Sequence, residues 1–126
     1  MKSLRLNRLV CALLLVLGLA AACNRTEPPP DPIPVAELPA ALETAFAQAK
    51  PEAKTQASQV VALVRAHDYP KAFAALQALA TRPGLSKDQL RVVGGATLTV
   101  NSLLQEAQTK GDPKAIQTLE NYRRDK

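Results

Sequence analysis

Few side chains in this chain of 126 residues are of the types that carry out covalent or acid–base chemistry. There are two cysteines, Cys11 and Cys23, and a single histidine, His67. A catalytic triad would require His67, an orienting acid and a serine in a nucleophile turn. The candidate serines are Ser58, Ser86 and Ser102, and none stands in such a turn. We therefore predict that the protein is not an enzyme and that His67 is a turn residue beside a helix N-cap.

The composition also argues against metal and nucleic-acid chemistry. One histidine cannot form a His–His or His–Cys metal site by itself, and the acidic residues are scattered singly among basic ones. The stretch "RVVGGAT", which contains Gly94 and Gly95, lacks the spacing and the Lys-Ser/Thr pair of a phosphate-binding loop. Two Phe, two Tyr and no Trp leave little for stacking on bases. The sequence thus predicts no metal, no dissociable cofactor and no nucleic-acid partner.

The N-terminus has three zones. Residues 1–8 contain three basic side chains and no acid, residues 9–19 are almost wholly apolar, and three alanines follow. This order is typical of a secretory signal peptide. A membrane-spanning helix needs about 20 apolar residues, so an uncleaved signal anchor is the less favoured alternative.

Cys23 follows the apolar run directly. The sequence "LAAAC", residues 19–23, resembles the lipobox of bacterial lipoproteins, although Ala20 takes the place where that family most often has leucine. The resemblance implies cleavage between Ala22 and Cys23, a diacylglycerol thioether on the cysteine sulfur and an acyl chain on the new amino group. More than one chain is required for stable anchoring. Asn24, which is not an aspartate, favours the outer over the inner membrane, with the body facing the periplasm.

Removal of residues 1–22 changes the net charge and the cysteine content of the chain. It takes Cys11 and three of the 16 basic residues but none of the 11 acidic ones, which lowers the formal net charge from +5 to +2. The mature chain then has no thiol for a disulfide, so its fold depends on burial alone.

A proline-rich segment follows the cysteine. Residues 23–38 contain five prolines, which disfavour helix in the residues before them and favour an extended polyproline II conformation. At about 3.1 Å per residue, the fifteen residues after Cys23 could reach about 45 Å from a bilayer. We interpret residues 23–38 as a semi-rigid tether; a proline-rich ligand for a partner is the alternative.

Residues 39–126 show helical periodicity throughout, so the sequence predicts an all-α fold, a small bundle or a short solenoid of antiparallel helical hairpins. Pro51 either starts a second helix or kinks a long one, and we favour a break. Ser86 and Gln89 form a capping box before a long helix that Gly111 ends. The side chains expected to face inward include Leu42, Phe46, Ala53, Ala57, Val60, Val61, Val64, Phe73, Leu76, Leu79, Leu90, Val93, Val100, Leu104, Ala115, Ile116, Leu119 and Tyr122.

One internal repeat is visible, because "DYPKAF" at residues 68–73 matches "DPKAI" at residues 112–116. The turn "HDYPKA" resembles the "GDYxxA" turn of tetratricopeptide repeats, with Tyr69 and Ala72 at matching places. The resemblance implies a surface for binding protein or peptide. Glycine lowers the stability of a helix by about 1 kcal/mol relative to alanine, so the presence of Gly94 and Gly95 within a helical pattern requires an explanation. Close packing, a hinge or a pocket floor would each supply one.

These observations predict a lipid-anchored protein whose helical domain binds another envelope protein through an open apolar groove near Tyr69, Gly94 and Gly95. Two alternatives remain. A carrier of a small apolar ligand would have a closed pocket between alanine-lined helices. A membrane-to-wall tether is suggested by the C-terminal "NYRRDK", which is similar to the end of the murein lipoprotein, whose terminal lysine is joined to peptidoglycan. Here that lysine is Lys126; Asp125 interrupts the similarity, and the cationic end also suits a helix C-terminus.

Overall fold

The computed structural model describes residues 27–126, and within that range the chain forms helices and no strand. Cys11, Ala22 and Cys23 lie outside the described residues. The helices are α1 (Leu38–Ala45), α2 (Pro51–Arg65), α3 (Tyr69–Ala80), α4 (Lys87–Thr109) and α5 (Pro113–Arg124). The all-α class predicted from the sequence is confirmed, in the form of a small helical bundle. No helix in the described range is long and apolar enough to cross a membrane.

Prolines mark several helix starts. The helix α1 ends at Ala45 and α2 begins at Pro51, with a turn between them, so the predicted break at Pro51 is confirmed. Proline suits the first turn because its missing N–H would have no partner there and its φ is already helical. Pro113 begins α5 in the same way.

The turns between α2 and α3 and between α4 and α5 have the same geometry. His67 (φ 55°) and Gly111 (φ 83°) both adopt the left-handed conformation. In each turn the N–H of that residue bonds to the carbonyl three residues earlier, and the N–H of the following aspartate bonds to the carbonyl five residues earlier, at 2.9–3.0 Å. These are the bonds of a Schellman motif. Asp68 and Asp112 then cap α3 and α5 through their side chains, so the sequence repeat corresponds to a repeated turn.

The longest helix, α4, begins at the predicted capping box. Gln89 N–H donates to Ser86 Oγ at 3.1 Å, and Ser86 N–H donates to Gln89 Oε1 at 2.9 Å. The helix α4 contacts α1, α3 and α5. In addition, α2 contacts both α1 and α3, and α3 contacts α5. The buried side chains that join them include Leu38, Leu42, Phe46, Val60, Leu76, Leu79, Val93, Ala96, Val100 and Leu104.

The helical pattern predicts that Leu90 faces inward, but 45% of Leu90 is exposed, so this prediction is wrong. The buried stripe of α4 runs through Val93, Ala96 and Val100, and Gln89 lies closer to that line than Leu90 does. Gln89 is half-buried, and its amide donates to the carbonyl of Ala45 at 3.2 Å. Gln89, through its hydrogen bond to the end of α1, therefore occupies the inward-facing position predicted for Leu90.

Candidate interaction surface

The structure places Tyr69 at the first residue of α3, directly after the turn from α2, where it contacts His67. The imidazole Nδ1 and the phenol oxygen lie 2.8 Å apart, and the rings meet edge to face with centroids 5.8 Å apart. Tyr69 is half-buried and His67 is exposed. His67 is itself the left-handed residue of this turn, which supports its predicted role as a turn residue.

Gly94 and Gly95 lie in α4 beneath the proline-rich segment. A Cβ on Gly94 would lie 2.8 Å from the Pro30 ring, and a Cβ on Gly95 would lie 2.6 Å from the carbonyl oxygen of Asp31 and 3.0 Å from Ile33 Cγ1. A Cβ atom does not come this close to another heavy atom unless one of the two is displaced. Only glycine therefore leaves room for the segment at both positions. Close packing is thus the reason for the pair, and the neighbour is an extended segment.

Two polar contacts fix the same segment on α4, one before and one after the glycine pair. The Thr99 hydroxyl donates to the carbonyl of Ile33, and Lys87 Nζ lies 2.9 Å from Glu27 Oε1. Successive residues of the segment meet successive turns of α4, so the two run in the same direction. We refer to residues 27–34 in this position as the docked segment.

Residues 27–34 of the predicted semi-rigid tether do not project from the body. They are extended, as the prolines predict, but they lie along α4. The expectation of an open groove at Gly94 and Gly95 is wrong for the same reason, because Gly95 is buried and Gly94 half-buried under the chain's own residues. A glycine pair is a weak sequence signal for such a contact, because it does not identify the covering segment.

The ion pair between Glu27 and Lys87 changes the pKa of both groups. The hydrogen bond from Lys87, and then its charge, lower the pKa of Glu27 from its ordinary value, and the charge of Arg91 adds to this effect. The hydrogen bond and the charge of Glu27 raise the pKa of Lys87 in turn. Both groups are solvent-exposed, so salt screens their attraction.

A different groove, between α1 and the beginning of α4, is open to solvent. It has a volume of about 710 Å³. Alanines and Val92 supply its apolar surface, and Glu37 and Asp88 are exposed carboxylates on its lining. The full lining is Glu37, Ala40, Ala41, Thr44, Ala45, Ser86, Asp88 and Val92. We refer to it as the α1–α4 groove; the run of small residues on α1 is the only sequence signal for it.

Two further depressions differ from the α1–α4 groove in size or polarity. The more enclosed one, between α1 and α2, has a volume of about 110 Å³, whereas pockets for drug-sized ligands measure about 300–1,000 Å³. The other, about 310 Å³, lies between the α1–α2 and α3–α4 loops, and the Arg82 side chain there donates to Gln56 at 2.7 Å. Neither has the closed, apolar, ligand-sized form expected of a small-ligand carrier.

The C-terminal residues lie against α3. The ring of Tyr122 meets that of Phe73 edge to face at 5.1 Å, and Lys126 Nζ lies 4.6 Å from the centroid of Tyr122. The ammonium group of Lys126 therefore makes a cation–π contact at the end of α5. Linkage of Lys126 to a cell wall stays a prediction.

Within residues 27–126 no group of three or more His, Cys, Asp or Glu side chains is placed to hold a metal ion. Comparison of the chain with protein-family profiles, with curated proteins and with solved structures gives no match. The resemblances to lipoproteins and to tetratricopeptide hairpins stay predictions from the residues that carry them.

Proposed function

We propose that this protein is a lipoprotein of the bacterial cell envelope, anchored through Cys23, and that its helical body binds another envelope protein in the α1–α4 groove. The sequence supports the anchor, through the basic head, the short apolar run and "LAAAC" at residues 19–23. Two or more acyl chains on Cys23 would hold the body at a membrane surface.

The α1–α4 groove is the observation that supports the binding function. It is open to solvent, and its alanines let a partner's backbone approach closely. Glu37 and Asp88 place negative charge on its lining, which complements a partner segment with apolar and basic side chains. An open groove suits a peptide or helix better than it suits a small ligand, which needs enclosure.

The anchor is tested by replacing Cys23 with alanine. We expect the Cys23→Ala protein to leave the membrane fraction, and mass spectrometry of the parent to show a chain that starts at an acylated Cys23. An intact leader, or membrane retention of Cys23→Ala, would contradict the anchor without bearing on the groove.

The groove is tested by photo-crosslinking in intact cells. A crosslinker at Ala41, in the α1–α4 groove, is compared with one at Gln117, on the exposed side of α5. We expect one protein species to be captured from Ala41 only, and a Glu37→Lys plus Asp88→Lys variant to lose it. Glu120→Lys, an exposed charge reversal on α5, serves as the control. Equal capture from both positions, or capture that survives the double charge reversal, would refute the proposed site.

A further inference from the structure

The docked segment shortens the connection between Cys23 and the helical body. Free of contacts, the fifteen residues after Cys23 could reach about 45 Å. With residues 27–34 held on α4, only the four steps from Cys23 to Glu27 separate the cysteine from a fixed point on the body. A fully extended chain covers at most about 14 Å in four residues.

The contacts that hold the segment are spread along α4. They are the ion pair at Lys87, the close approaches at Gly94 and Gly95, and the hydrogen bond at Thr99. The absence of side chains at two successive positions forms a recess in which the Pro30 ring and the Asp31 carbonyl lie. Because the contacts extend over three turns of helix, they fix the direction of the segment as well as its position.

The segment begins at the N-terminal end of α4, so that end lies closest to Cys23. Asp88 and Thr109, near the two ends of α4, are about 32 Å apart along the axis at 1.5 Å per residue. The basic side chains of Lys87 and Arg91 lie beside Glu27, and Lys50 and Arg82 line the cleft at the same end of the bundle. Lys87 is paired with Glu27, and Glu37 and Asp88 place carboxylates near the same end, so the preference for this end rests on the short connection to Cys23 and not on charge.

We propose that docking of residues 27–34 on α4 holds the helical body close to the bilayer, with the N-terminal end of α4 facing the lipid headgroups. This inference rests on the proposed anchor at Cys23. It gives the body one orientation, in which the turns at His67 and Gly111 point away from the membrane.

The test uses the chain from Cys23 onward, the proposed mature form, coupled through Cys23 to a maleimide phospholipid in phosphatidylcholine vesicles. The chain has no tryptophan, so a single introduced tryptophan can serve as the fluorescence donor to dansyl-labelled headgroups. The near reporter is Asp88→Trp and the far reporter is Thr109→Trp, both at exposed positions. Energy transfer is expected to be several-fold more efficient from the near reporter.

Removal of the recess should abolish this difference. Gly94→Ala plus Gly95→Ala adds the two clashing Cβ atoms, and alanine is the better helix former, so α4 itself is not weakened. We expect the near and far transfer efficiencies to converge in this variant, with unchanged helical circular dichroism. Gln105→Ala, an exposed change on α4, should keep the full difference.

A milder variant tests the hydrogen bond to the segment. Thr99→Val removes the donor to Ile33 and should reduce the near-to-far ratio, whereas Thr118→Val on α5, which loses an intrahelical bond to Lys114, should not. Equal transfer from both reporters in the parent, or a ratio that survives the double alanine variant, would overturn the proposal. Because the lipid is attached chemically, failure here is distinguishable from failure of acylation in cells.

Discussion

His67 and Gly111 occupy equivalent positions in two turns of the same geometry, but only one of them is a glycine. A left-handed backbone brings the Cβ of an L-residue close to the following carbonyl oxygen, at a cost of about 1–2 kcal/mol. Gly111 has no Cβ and avoids this cost. His67 has a Cβ and is strained in this conformation. Its Nδ1 is hydrogen-bonded to the Tyr69 hydroxyl at 2.8 Å, and this bond offsets part of the strain.

Substitution of Gly111 tests the backbone requirement directly. We expect Gly111→Ala to lower the free energy of unfolding by about 1 kcal/mol, because alanine is strained at a φ of 83°. Urea denaturation followed by circular dichroism measures the change. Lys110→Ala, at the neighbouring residue with an ordinary helical φ, should change stability by less than about 0.5 kcal/mol. An equal loss in both variants would contradict the assignment of strain to the left-handed position.

Substitution of His67 separates backbone strain from the contact with Tyr69. Both His67→Gly and His67→Ala lose the imidazole, so the difference between them reports the backbone alone. We expect His67→Gly to be more stable than His67→Ala by about 1 kcal/mol, since glycine adopts the left-handed conformation freely. Thermal and urea unfolding of the two variants provide the comparison. If alanine were the more stable replacement, the strain interpretation would be wrong.

At the scale of elements, the helix ends could be predicted and the position of the proline-rich segment could not. The capping box at Ser86 and the caps at Asp68 and Asp112 depend on residues within one turn, so the local sequence contains the whole signal. The docked segment depends on contacts between residues sixty or more positions apart, such as Ile33 with Thr99. No local pattern specifies such a pairing.

The same distinction explains the two errors about which residues are exposed. Close packing is one of three reasons that the sequence leaves open for the glycine pair, and the sequence does not show that Pro30 and Asp31 are the neighbours. Leu90 fits an apolar helical pattern, but the end of α1 lies beside Gln89, and only the packed bundle shows which side of α4 is covered there.

Docking of the segment should depend on pH through Glu27 and Lys87. The lowered pKa of Glu27 means that its contribution is present above the ordinary glutamate pKa and is lost as pH falls through the lowered value. The raised pKa of Lys87 means that its contribution is lost as pH rises through the raised value. We expect the docked population to be greatest around neutral pH and to fall in acid, as reported by the NMR amide shift of Gly95.

The pH effect has a matched control. Glu27→Gln removes the carboxylate and should abolish the part of the acid response that belongs to this pair, while Glu120→Gln on α5 should leave the response unchanged. Added salt should weaken docking in the parent, since both partners are exposed. An identical acid titration in the parent and Glu27→Gln proteins would show that the pair does not contribute.

At the scale of the whole molecule, the N-terminal part of the body consists of two pieces with different relations to the core. The docked segment lies on the surface of α4, and its prolines are mostly exposed. The helix α1 is part of the core, because Leu38, Leu42 and Phe46 are at most 1% exposed and α1 contacts both α2 and α4. The hairpins α2–α3 and α4–α5 are thus joined through α1 as well as through the contacts of α3.

This division predicts that two truncations will behave differently. A chain that begins at Val35 lacks the docked segment and should keep a cooperative unfolding transition. A chain that begins at Lys50 lacks Leu38, Leu42 and Phe46, whose burial contributes about 2 kcal/mol each. That loss is comparable to the whole stability of a small domain, about 5–15 kcal/mol, so this chain should be largely unfolded. Urea denaturation and amide exchange measure both. A cooperative transition in the chain from Lys50 would show that the two hairpins fold without α1.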